Sequence, residues 1–173
     1  TREGFIAELE DLGYDIDERT VNVSGDISLI PTTVKSFEGD GVDLIYAIAT
    51  PAAQGAKSAV SNIPIIFNAV TDPVAAELVD SNESPGANVT GVSDYFSIKT
   101  QLENFLDIFP ESKKLGVLYS TGEANSEAQI EELEIVAQEL GLELIKAGVT
   151  TTNDVSAAMT SLVTKIDSYV AIQ

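Results

Sequence analysis

The sequence contains no cysteine and no histidine. Without cysteine, disulfides and thiolate chemistry are excluded, and the redox compartment is left open. Without histidine, the commonest general base and metal ligand is missing, so any enzyme hypothesis rests on Asp, Glu, Ser, Tyr or Lys. Basic residues are scarce: 9 Lys and Arg stand against 28 Asp and Glu, a formal net charge of −19 at pH 7. A surface this negative repels phosphate backbones at long range, which argues against nucleic acid as a partner; the acidity equally fits solubility or a salty environment. No apolar run approaches the roughly 20 residues needed to cross a bilayer. No GxGxxG or GxxxxGK[ST] run occurs, and the segment GEANSEAQ is no phosphate loop. No signal peptide is visible, and the opening TREGF reads as though the chain is entered mid-element, so an upstream segment is expected.

What is present fits a globular α/β protein. Hydrophobic residues make up 44% and charged residues 21% of 173 residues, enough for one domain or two small ones. Phe5, Leu9 and Leu12 recur at helical spacing over Arg2–Leu12, and Gly13 can end that helix in a left-handed conformation. Asp15–Ser24 holds the alternating run IDERTVNV, read as a strand, followed by a helix whose face is Ile30, Val34 and Phe37. Asp43–Ala49 and Pro64–Val70 are buried-strand candidates with an Ala-rich helix between them. VAAELVDS reads as a short helix, SNESPGAN as a loop and Asn88–Ser93 as another strand.

The strand ends carry polar clusters: Thr50-Pro51, then Thr71-Asp72-Pro73, then Ser93-Asp94-Tyr95. In an open parallel sheet, ligands bind outside the carboxyl ends of the strands, so these clusters are expected along one rim. Thr50 as N-cap and Pro51 at the first helical position would leave first-turn amides free for an anion such as a carboxylate. The same pair can simply start a helix. Asp72 is a natural counter-charge for a ligand ammonium, although an Asp before Pro is also a turn former. Tyr95 and Phe96 could wall a ligand or belong to the core.

A second set of elements follows. Ser97 can cap a helix carrying Ile98, Leu102, Phe105, Leu106 and Phe109 on one face, stopped by Pro110. Lys114–Tyr119 is the next strand, and its end leads through Ser120, Thr121 and Asn125 to Ser126, which with Gln129 fits a capping box. That loop is a second anion-friendly rim or plain capping. Leu142–Val149 is a strand, Thr150–Asn153 a polar loop with a cap, and Val155, Met159, Leu162 and Val163 form a helix face before a last strand, Asp167–Ile172. The pattern predicts an α/β protein of two Rossmann-like lobes with parallel sheets, an N-terminal lobe over residues 1–95 and a C-terminal lobe over 96–173, both cut from something longer. A cleft between such lobes would set Thr50, Asp72 and Ser93 opposite Ser120, Asn125 and Thr150, and closing it would be a hinge motion.

The segments ATPAAQGAKSAV, IPIIFNAVTDPVAAELVDS, PGANVTGVSD, KLGVLYSTGEANSEAQIEELE and KIDSYVAIQ closely resemble the substrate-binding components of ABC importers of the tryptophan-binding type. The resemblance covers nearly the whole chain. It implies the type I periplasmic-binding-protein fold and extracytoplasmic capture of a small solute, an amino acid or related compound, for delivery to a membrane permease. It implies ligand contacts at Thr50, Pro51, Ala52, Thr71, Asp72, Ser93, Asp94, Ser120, Thr121, Asn125 and Ser126, with Tyr95, Phe96 or Tyr119 for a ring or apolar side chain. Intact members have a strand ahead of the first helix and further elements after the last strand here. Gln173 stands where the next loop would begin to contribute. No cofactor, metal or catalytic residue is expected, and the protein is expected to be a monomer, free in the periplasm or lipid-anchored at the outer face of the membrane. Two other classes stay open: the ligand-sensing half of a transcription regulator, and an open α/β enzyme.

Overall fold

The computed structural model describes residues 1–172. The chain separates into two compact units, Thr1–Asp94 and Tyr95–Gln173.

In the first unit, α1 (Arg2–Asp11) and a 3₁₀ turn (Ile27–Leu29) precede α2 (Ile30–Asp40), β1 (Ile45–Ile48), α3 (Thr50–Ala59), β2 (Ile65–Val70) and β3 (Val89–Ser93). The three strands are parallel in the order β1-β2-β3. Parallel neighbours need a crossover, and the small-residue helix α3 supplies it between β1 and β2. Ile45, Ala47, Ile65, Phe67 and Val89 turn one face of the sheet onto Ile30, Val34, Ala53 and Ala56. Gly55 lets α2 and α3 meet closely: a Cβ there would fall 2.5 Å from Ile30 Cγ2. Each large apolar side chain fully buried in this way stabilises the unit by about 1.5–3 kcal/mol.

The end of α1 is as expected. Gly13 takes φ 88°, its N–H reaches Glu10 O at 2.9 Å, and the Tyr14 N–H reaches Leu9 O at 3.0 Å, the paired bonds that close a helix C-terminus. No residue of α1 is buried; Phe5 stacks flat on Tyr46, ring centroids 4.0 Å apart and 4° from parallel.

Two expectations for this unit are corrected. The run Asp15–Ser24 forms no strand. Its alternation is genuine, but strand propensity acts only through a neighbouring edge, and this run pairs with none, leaving Ile16 and Val23 half-buried and the rest exposed. Its side chains instead serve α1 and α2: Arg2 Nε donates to Glu18 at 2.6 Å, and Arg19 pairs with Asp40. VAAELVDS is a succession of turns rather than a helix. Glu77 sits at φ 56° there, a left-handed residue that interrupts any helical run.

In the second unit, α4 (Ile98–Ile108), β4 (Lys114–Ser120), α5 (Ala124–Glu139), β5 (Glu143–Val149), a 3₁₀ turn (Thr152–Asp154), α6 (Val155–Leu162) and β6 (Ser168–Val170) follow one another. The strands are parallel in the order β5-β4-β6. Leu115 and Val117 face α4 and α5 through Ile98, Leu102, Ile130, Leu133, Val136 and Ala137. Gly116, pointing the other way, leaves space for α6 and the residues behind it; a Cβ would lie 2.5 Å from Ile166 Cδ1. Ser97 caps α4, its Oγ accepting the Thr100 N–H at 3.3 Å. Of the expected α4 face, Phe105 and Leu106 are half-buried and Phe109 is exposed. On α6 only Leu162 is buried, and Val155 and Val163 face solvent.

Candidate functional site

In the first unit, β1, β2 and β3 deliver Thr50, Thr71 and Ser93 to the same carboxyl edge of one sheet. The Ser93 hydroxyl donates to the Thr71 carbonyl at 2.8 Å, tying the last two together. Thr50 and Thr71 are themselves buried, 2% and 5% exposed. The accessible part of this edge is therefore made by half-buried Pro51 and Ala52 and by exposed Asp72, Ser93 and Asp94.

The start of α3 differs from expectation. Ala49, not Thr50, is the N-cap, and Thr50 is the first helical residue with Pro51 behind it. The chain leaves β1 through an unusual conformation at Ala49, φ 76° and ψ 157°, which shifts the cap one residue upstream. The first intrahelical bond runs from the Ala53 N–H to Ala49 O at 3.1 Å. The amides ahead of Ala53 have no acceptor inside the helix, and Pro51 has no amide to offer.

Asp72 performs the local role weighed for it. Its Oδ1 accepts the N–H groups of Val74 and Ala75 at 3.0 and 2.9 Å, shaping the turn after β2. An ionised carboxylate has about four lone-pair sites, so this turn does not exhaust its capacity to meet a cation.

Sequence reasoning missed two features of this rim. Ala69, like Ala49, has a positive φ, 56°. The two residues directly follow the paired Ile48 and Asn68, so the strained positions lie on neighbouring strands. Such conformations persist only where the surroundings impose them, and they concentrate at functional sites. Nothing in the residue type marks them, since alanine has no preference for this region. The second feature is Asn68, whose Nδ2 donates to the Tyr46 hydroxyl at 2.6 Å; a polar residue inside IIFNAV was the available sign.

In the second unit, Ser120 and Thr121 lie at the end of β4, and Asn125 and Ser126 in the first turn of α5. Thr121 is held to β5 by its N–H and hydroxyl, 3.0 and 3.3 Å from Val149 O. Ser120 and Asn125 are half-buried, Thr121 and Thr150 exposed. The capping box expected at Ser126 and Gln129 is absent: α5 begins at Ala124 with Glu123 as N-cap, and both residues are 5% exposed within the helix packing. Thr151 and Asp154 form a capping box instead, at the turn before α6. Tyr95 is 52% and Phe96 54% exposed, and the Tyr95 hydroxyl donates to Glu132 at 2.9 Å. Tyr119 is half-buried beside Gly148. On the same strand as Gly148, Lys146 is held above the ordinary lysine range, chiefly by its hydrogen bond to Glu134, against the opposing effect of desolvation. Gln173 lies outside the described residues.

Among the described residues, no three acidic side chains gather as a metal site, and no helix is long and apolar enough to cross a membrane.

The chain is 46% identical over 170 residues to a tyrosine-binding protein of Clostridioides difficile, covering 96% of this chain and 49% of that one. Among solved structures, it matches the ABC domain in complex with L-Trp from Streptococcus pneumoniae with TM-score 0.93 and 38% identity, covering 98% of this chain and 59% of the other. A conserved domain protein from Vibrio cholerae matches with TM-score 0.93 and 35% identity, covering 97% of this chain and 58% of the other. The chain thus spans about half the length of the curated relative and under two thirds of these structures. The family described as ABC transporter substrate binding protein matches residues 1–173, and with parallel α/β units ending in polar strand-tip loops, the chain belongs to that family.

Proposed function

We propose that this chain is part of an extracytoplasmic substrate-binding protein that captures an amino acid or closely related solute and hands it to an ABC permease in the membrane. The observation that carries the reading is the family match over the full 173 residues. A relative named for tyrosine binding and a solved ABC domain in complex with L-Trp make an aromatic amino acid the first solute to try.

No bond is made or broken in this reading. The α-carboxylate docks at the start of α3, on the Thr50 and Ala52 amides that have no acceptor inside the helix and against the Pro51 ring between them, where the helix pole favours an anion. Thr71 and Ser93 fix the neighbouring loops, and Asp72 or Asp94 meets the ammonium. Ser120, Thr121, Asn125 and Ser126 supply the contacts of the second unit, with Tyr95, Phe96 or Tyr119 against a ring. Binding favours whichever arrangement of the protein makes both sets of contacts, because only a difference in affinity between states moves their populations.

The test is calorimetric titration of the intact protein with L-Tyr, L-Trp and a panel of other amino acids. Native mass spectrometry first checks for a solute retained through purification. At least one of Asp72→Ala and Asp94→Ala is expected to weaken binding about tenfold or more, which is about 1.4 kcal/mol. Unchanged affinity in both variants would place the site elsewhere.

A further inference from the structure

The distribution of charge on the folded chain carries a consequence independent of any solute. Six of the nine basic residues each take one carboxylate in an ion pair among the described residues. Two of the remaining lysines are committed to uncharged oxygens, Lys57 to the Glu77 carbonyl and Lys165 to the Ser161 hydroxyl. Most of the 28 acidic side chains therefore have no cation opposite them among the described residues.

The surplus falls on particular helices. The sequence of α5, ANSEAQIEELEIVAQE, has five glutamates and no Lys or Arg. Lys146 pairs with Glu134 and Lys99 with Glu139, and Glu132 accepts the Tyr95 hydroxyl, while Glu127 and Glu131 face each other one turn apart. On α4, Glu103 and Asp107 have the same spacing, with Lys99, already paired to Glu139, one turn ahead of Glu103. Glu8, Glu10 and Asp11 crowd the C-terminal end of α1, which has no basic residue there and no buried residue to hold it down. At that end the negative pole of the helix adds to the repulsion.

Salt weakens attractive and repulsive pairs alike, so the sign of its effect follows the surplus, and here repulsion is in excess. Range decides how much salt is needed. Side chains one helical turn apart are separated by about 5–6 Å. The screening length is about 10 Å at 0.1 M and about 3 Å at 1 M, so neighbours on these helices still repel at physiological strength and cease to do so only near molar salt.

We propose that the folded chain is adapted to a medium of high ionic strength and is stabilised by molar monovalent salt through screening of its own surface. The partner is a diffuse cation atmosphere, without a bound ion.

The experiment is thermal unfolding of the intact protein, without added solute, followed by circular dichroism at pH 7 in NaCl and in KCl from about 0.1 M to about 2 M. The expected Tm climbs by about 5 °C or more across that range, equally in both salts. The double variant D107N/E131Q, altered only at exposed positions, breaks both like-charged pairs while keeping Glu103 beside Lys99 and Glu127 in the first turn of α5, and is expected to melt higher than the parent at low salt and to respond to salt less steeply. A parent Tm that is flat or falls with salt would overturn the proposal, since the ion pairs would then dominate. So would an undiminished slope in the variant, which would assign the effect to general salting-out, or a difference between Na⁺ and K⁺, which would require a bound ion.

Discussion

Replacing Ala49 with glycine should make the first unit more stable, against the usual direction for glycine. At φ 76° and ψ 157°, Ala49 occupies a region that is essentially restricted to glycine and costs other residues ~1–3 kcal/mol. Its side chain is exposed, so removing the methyl sacrifices little packing. Glycine gives back ~0.4–1 kcal/mol through the greater freedom of the unfolded chain. The balance is a gain of ~0.5–2 kcal/mol. Hydrogen exchange followed by peptide mass spectrometry reads the first unit by itself, on peptides covering Ile45–Ile48 and Ile65–Val70. Protection there should rise roughly 2- to 30-fold in Ala49→Gly. Ala53→Gly is the control: Ala53 is 0% exposed inside α3, and its replacement should cost ~1 kcal/mol or more. If the conformation at Ala49 also fixes the start of α3 for binding, solute affinity should fall in Ala49→Gly while stability rises. Reduced protection in Ala49→Gly would show that the residue is not strained and that the rim is held by something else.

Two further outcomes follow from the packing and the hydrogen bonding. Gly91→Ala should destabilise the first unit by ~1–3 kcal/mol, because the new Cβ would press into the Phe67 carbonyl and come within 2.6 Å of the Phe67 ring; an unchanged urea midpoint would refute it. Asp167 accepts the N–H groups of Lys113 and Lys114, each 3.0 Å from its Oδ2. Desolvation raises its pKa, but these hydrogen bonds outweigh it and hold the carboxyl below its ordinary value of 3.8. A depressed folded pKa gives stability that is present above the unfolded value and lost as pH falls through the folded one. Melting curves from about pH 6 to about pH 2 should therefore show the parent losing Tm more steeply than Asp167→Asn below about pH 4; parallel curves would refute the role.

The alternation of strands and helices was legible because it rests on burial. Ile45, Ile65, Val89, Leu115 and Val117 lie within the predicted strands and are all at or below 5% exposure. Ser97 was legible because a hydroxyl directly ahead of an apolar stripe has little else to do. What escaped depends on neighbours the sequence does not list. IDERTVNV has strand composition and no edge to join. Ser126 and Gln129 have the types and spacing of a cap, yet their burial places them inside the helix, on its packed side. Burial is a tertiary property, and polar residue types point away from it. The rim was placed by strand ends alone; the strain at Ala49 and Ala69 and the tie from Ser93 to Thr71 became visible only with the backbone in view.

The register of β2 against β3 skips Ala69, passing from Asn68 opposite Val92 to Val70 opposite Ser93. Because side chains alternate sides with a period of two, one surplus residue acts as a half-wave phase shift. It turns Val70 into the core, at 0% exposure, at a position where strict alternation would have turned it out. Everything downstream, Thr71 and Asp72 included, inherits that phase. The phase at the strand tip therefore hangs on one residue whose side chain pairs with nothing: without Ala69, Asn68 and Val70 would be consecutive, still opposite Val92 and Ser93, and the rim would lose its left-handed residue without altering a single polar group.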